Sequence, residues 1–189
     1  MTETRLRTWT HSIGYGLATL FIFILAMQNL RYGFYALFYL AAGMATLTLA
    51  GAIYTFICRR HQLSAPGHLI ILSSLNSGLL VAMFTLQNPG ISHWVMPLLV
   101  LNFLILPLRQ GLLLSLLLLI PTAILISNRE PAADAITVIS GLLILLTATA
   151  LYIWHYDHIA QSAEDLAITD PVTGAHNARF LDETLQKEI

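Results

Sequence analysis

The side chains able to do chemistry are few and scattered. His155 and His158 stand three residues apart, a spacing that puts two imidazoles on one helix face. Such a pair can serve a metal ion, or a haem in a bundle. Two ligands without a third make a weak metal signature. With Tyr152, Trp154 and Tyr156 around them, these histidines read first as part of an interfacial aromatic belt. His68 and His93 fall near opposite ends of the segment they bound, so they are expected not to share a metal. Cys58 is the only cysteine, and no intrachain disulfide can form. Beside Arg59 and Arg60 it has the setting of a redox or lipidation site. As a small apolar residue at a helix end it also needs no further role. Two amides, Asn76 and Asn102, interrupt long apolar runs. The acids gather at the other end of the chain: seven of ten lie between Asp157 and Ile189.

The elements that hold these groups are apolar. Of 189 residues, 57% are hydrophobic and 10% charged, with mean hydropathy +0.73; a soluble domain carries roughly 25% charged residues. Between Arg5 and Ala150 there is no lysine, and the only acids are Glu130 and Asp134. The net charge is −1 without a basic stripe, which argues against nucleic-acid binding. A helix needs about 20 apolar residues to cross the hydrocarbon core. Six segments approach this: Ile13 to Leu30, Tyr32 to Cys58, Gly67 to Leu86, Ser92 to Leu108, Gln110 to Ser127 and Ala135 to His155. The expected fold is an all-α, six-helix transmembrane bundle. The third segment is polar for a span, and the fourth is short and contains Pro97. No cleavable signal peptide is evident, because no small-residue cleavage pattern follows the first apolar run.

Arginines orient the bundle. With the N-terminus cytoplasmic, Arg5, Arg7, Arg59, Arg60 and Arg109 face the cytoplasm, and Arg31 and Arg129 face outward, in keeping with the positive-inside rule. Six crossings then return the chain to the cytoplasm after His155. The outer loops are short, so a signal must enter through the bundle, the lipid or a partner. No Asp, Glu, Lys or Arg lies deep in a span, which weighs against a pump or ion-coupled transporter. Asn76 and Asn102 form a candidate intramembrane polar site. They read either as a small-ligand pocket or as interhelical glue, and glue is the commoner use of buried amides in lipid. Small-residue pairs such as Ser73 with Ser77 and Ala41 with Ala45 permit close helix approach.

The helical pattern continues past the sixth segment. Tyr152, Ile159 and Leu166 recur every seven residues, and Tyr156 and Ala163 fall four after the first two. This is a two-heptad seam, and it divides the chain into a membrane part (1–151), a helical or coiled-coil connector (152–169) and a polar tail (170–189). Thr169-Asp170-Pro171 stops the connector, since proline disfavours helical geometry in the residue before it. Pro171 to Gly174 reads as a turn. Asn177 suits a helix N-cap, and Phe180, Leu181, Leu185 and Ile189 give the new helix an apolar stripe.

The tail, "AITDPVTGAHNARFLDETL", resembles the opening of the GGDEF domain of diguanylate cyclases, which reads D-x-L-T-G-L-x-N-R-R-x-hydrophobic after a helical connector. Asp170, Thr173, Gly174, Asn177, Arg179 and Phe180 match. Val172 and Ala175 replace leucines, and Ala178 replaces the first arginine. The resemblance covers about 20 of the 189 residues and is fairly specific. It implies that the matched residues couple a connector to an α/β catalytic domain rather than act as catalysts. The family's catalytic loop and metal-binding acids come later, and none of these 189 residues corresponds to them.

The resemblance further implies a parent enzyme that joins two GTP molecules into cyclic di-GMP with Mg2+ or Mn2+. Two such domains must meet, so a homodimer or higher homo-oligomer is expected. It implies a bacterial inner membrane setting with the catalytic side cytoplasmic. Expected partners are membrane lipid, with a membrane-protein partner or a small lipophilic ligand as the signal, and no nucleic acid. Three other readings stay open: a self-contained transporter or partner-binding scaffold, a sensor on a degenerate GGDEF domain, and a sensor feeding a histidine kinase. The Asp170 to Phe180 match argues against the last, since kinase dimerisation helices carry instead a phosphoacceptor histidine with a neighbouring acid and arginine.

Overall fold

The computed structural model describes the backbone of residues 3–58, 66–86 and 88–168, and side chains no further than Ile159. Among the described residues six α-helices follow in order: α1 (Glu3–Arg31), α2 (Tyr35–Ile57), α3 (Gly67–Thr85), α4 (Val95–Ile105), α5 (Leu108–Arg129) and α6 (Ala132–Ile168). A 3-10 turn, Pro89–Trp94, leads into α4. There is no strand among the described residues. Five of these described helices are long and apolar enough to cross a membrane, the exception being α4.

The breaks between helices have local causes. α1 ends where Gly33 takes φ +77, a left-handed conformation that costs glycine little. This turn sets the start of α2 at Tyr35, three residues later than expected. The chain before Pro107 and Pro131 is extended, with Leu106 at ψ 153 and Glu130 at ψ 154, as the residue before a proline prefers. Asn88 Oδ1 accepts from the Gly90 N–H at 2.9 Å and caps the 3-10 turn.

The fourth segment is the main departure from expectation. The segment expected to span runs from Ser92 to Leu108, yet α4 keeps only 11 residues, about 16 Å of helix. The start of the segment, as far as Trp94, is wound as 3-10, and the chain unwinds at Leu106-Pro107. Pro97 does not break α4. It lies in the first turn of α4, where a missing N–H is least costly. Pro121 stands inside α5.

Polar contacts give the helix directions. Asn76 of α3, Asn102 of α4 and Ser115 of α5 meet at one level. Met83 of α3 meets Thr122 and Arg129 of α5 at another. Residue numbers rise together on α3 and α5, so these helices run parallel, with α4 descending between them. α1 and α2 are antiparallel: the Thr19 and Thr48 hydroxyls are 2.9 Å apart, and the Tyr15 ring packs against Gly51. A methyl group on Gly51 would overlap the Tyr15 ring, so glycine permits that approach.

Large apolar side chains are exposed as well as buried, and several polar ones are buried among them. Thr48, Thr55, Asn102, Ser115 and Thr122 are wholly buried, whereas Leu17, Ile57, Leu113 and Ile144 are largely exposed. Soluble monomers rarely expose contiguous apolar surface of this extent. The arrangement is compatible with a multi-pass membrane protein.

Contacts divide the chain into two units, Met1–Ala150 and Leu151–Ile189. In the first, α6 buries a narrow stripe of Ala135, Leu142 and Leu146. The described part of the second is the remainder of α6, in which Tyr152, Trp154, Tyr156 and Ile159 are exposed.

Candidate functional site

Polar side chains gather at several places among the described residues of the first unit. The first is built on the amides singled out from sequence. Asn76 Nδ2 donates to Asn102 Oδ1 at 2.9 Å, and Asn102 Nδ2 donates to Asn76 Oδ1 at 3.2 Å. The remaining amide hydrogens reach the Leu72 carbonyl at 2.7 Å and Ser115 Oγ at 3.3 Å. Every N–H of the pair therefore has an acceptor, which is what buried amides need in an apolar medium. The three side chains tie α3, α4 and α5 at one level. α5 reaches α4 closely because residue 111 is glycine: a Cβ there would lie 3.2 Å from the Asn102 carbonyl oxygen.

One level further along, Thr122 Oγ1 donates to the Leu118 carbonyl at 2.7 Å and lies 3.8 Å from Met83 Sδ. Arg129 Nη1 donates to the Met83 carbonyl at 2.8 Å. That carbonyl belongs to the last turn of α3, which has no intrahelical donor of its own. A cation there also complements the helix dipole.

The second centre lies where α1 and α3 begin. His68, Tyr15, His11 and Tyr54 gather there from three helices. The Tyr15 hydroxyl and His68 Nδ1 are 3.2 Å apart. The His11 and Tyr54 rings meet His68 edge-on, with centroids 4.9 and 5.0 Å away. The Tyr54 hydroxyl accepts from the Gly67 N–H at 3.2 Å, closing the α2–α3 approach. His68 is 3% exposed, and its Nε2 has no hydrogen-bond partner among the described residues. This cluster was not singled out from sequence. The available signal was the i, i+4 spacing of His11 and Tyr15 on α1, which places both on one face.

Among the described residues, no group of three or more His, Cys, Asp or Glu side chains is placed to hold a metal ion. His68 and His93 are separated by the length of α3, about 28 Å for its 19 residues. His158 stacks on Trp154, with ring planes 6° apart and centroids 6.0 Å apart; His155 is exposed. Cys58 caps the end of α2 as a free thiol.

The connector residues Tyr152, Tyr156 and Ile159 lie on α6 and are exposed. The side chains of Ala163 and Leu166 lie outside the described residues, as do Asp170, Thr173, Gly174, Asn177 and Arg179. Compared with protein-family models, with curated proteins and with solved structures, the chain has no match.

Proposed function

We propose that this chain is the membrane sensory region of a bacterial diguanylate cyclase, with six crossings and both ends cytoplasmic. The observation that carries the reading is the run Asp170, Thr173, Gly174, Asn177, Arg179 and Phe180, placed directly after a helix that reaches Ile168. At 37 residues, α6 is about 55 Å long, more than the roughly 30 Å of a hydrocarbon core. Its C-terminal part is thus available as a connector. The parallel course of α3 and α5 supports counting α4 as a crossing despite its length. The 3-10 turn and the extended Leu106-Pro107 supply the rest of the distance.

In this reading the bundle sets the separation or rotation of two connectors, and so of two catalytic domains. Each of those domains would hold one GTP, with Mg2+ or Mn2+ supplying charge stabilisation during phosphoryl transfer. None of residues 1–189 is assigned to hold nucleotide or metal. Asp170 to Arg179 form the joint through which connector motion reaches the catalytic fold.

The test is to follow the reading frame beyond Ile189 and express its product. A Gly-Gly-Asp/Glu-Glu-Phe loop within one domain length is expected, together with raised cellular cyclic di-GMP. A downstream sequence without such a loop overturns the proposal. A substituted loop with no cyclic di-GMP would instead point to the degenerate relative.

A further inference from the structure

A groove of about 320 Å³ runs along the outside of the first unit, between α1 and the 3-10 turn with α4. Leu17, Phe21 and Leu25 line one wall, and Trp94, Leu101 and Leu104 line the other, with Met44 of α2 also reaching it. Among the described residues, no charged or hydrogen-bonding side chain other than the Trp94 indole contributes to the lining. Burying a polar ligand there would strip it of hydrogen bonds without replacement. The occupant must therefore be hydrocarbon.

Three observations narrow it further. The walls belong to apolar segments whose outer faces, such as Leu17 at 62% and Phe21 at 48% exposure, continue the lipid-facing surface. The groove follows α1 from Gly14 to Leu25, about 16 Å of helix rise, close to half of the roughly 30 Å hydrocarbon thickness. Its ends differ. At Gly14 the two walls touch, because a Cβ there would overlap Leu104 Cδ2. At the other end stands Trp94, a residue type enriched at the membrane–water boundary.

We infer that this groove is a binding site for one acyl chain of a bilayer phospholipid, entering at the Trp94 end and stopped by the Gly14–Leu104 contact. The inference rests on the membrane reading above, though not on the cyclase reading. Such a chain would hold the spacing of α1 and α4, and α4 carries Asn102 of the buried amide pair.

The test uses Trp94 as reporter in the full chain, with Trp9→Phe and Trp154→Phe leaving it as the one tryptophan. A control chain carries Trp94→Phe and Leu117→Trp, since Leu117 is lipid-facing and outside the groove. Both are titrated in detergent micelles with phosphatidylglycerol bearing dibrominated acyl chains, which quench indole fluorescence on contact. Saturable quenching of Trp94 is expected at a lipid mole fraction about tenfold below that for the control, as for a site favoured by about 1.4 kcal/mol. Ala18→Phe, which fills the groove, should move Trp94 onto the control curve, and Val100→Phe gives a second filling variant should the first misfold. One shared curve for the two tryptophans overturns the site and leaves the membrane reading standing. Absence of quenching at both positions overturns the membrane reading as well. Equal quenching by dibromostearic acid at the same mole fraction overturns the assignment to a phospholipid.

Discussion

At the scale of residues, the buried amide pair is the clearest case of sequence and structure meeting. Asn76 and Asn102 stood out because an amide in an apolar run is costly unless paired. Their mutual bonds, and the link to Ser115, required the folded arrangement. Replacing Asn102 with Leu removes the acceptor for Asn76 and leaves that amide buried without its partner. We expect a loss of about 1–3 kcal/mol, measured by reversible unfolding in mixed detergent. The double variant Asn76→Leu/Asn102→Leu should lose less than the sum of the two single variants, because neither amide is then left orphaned. Strictly additive losses would show that the pair is not coupled. The His68 cluster was far less legible. Tyr15 and His68 are 53 residues apart, and nothing local in either segment specifies the other as its partner.

At the scale of elements, helix positions followed from hydropathy and their ends from proline and glycine. The fourth segment shows the limit of that approach. Hydropathy registers how apolar a run is, not how it winds, and it cannot distinguish 17 residues of α-helix from a 3-10 turn, an 11-residue helix and an extended end. α6 bears most directly on the proposed coupling. If Tyr152, Ile159 and Leu166 form a working seam, a seven-residue insertion after Ile159 keeps it aligned within about 20°. A two-residue insertion turns it by about 200°. In the full-length protein, the first should preserve cyclic di-GMP output and the second should change it several-fold, as measured in nucleotide extracts. Indistinguishable outputs from the two would rule out rotational coupling through this helix.

At the scale of the whole molecule, the number of crossings decides which side of the membrane the tail occupies. Six crossings put both termini in the cytoplasm; without α4 as a crossing, the tail would emerge outside. Reporter fusions separate these outcomes. A fluorescent protein joined after Ile189 should fluoresce, alkaline phosphatase at the same point should be inactive, and alkaline phosphatase placed after Glu130 should be active. Active phosphatase after Ile189 would remove both the sixth crossing and a cytoplasmic output domain. The amino-acid sequence by itself determined the helical, membrane-compatible character of this chain, because apolar content and charge depletion act on each segment independently. It also carried the Asp170 to Phe180 resemblance, which is a matter of local residue order. Only the tertiary structure decided which buried polar groups meet, where Gly51 and Gly111 let helices touch, and that α1 and α4 leave an apolar groove between them. Those features depend on the approach of segments distant along the chain, and that approach is set by packing the whole bundle at once.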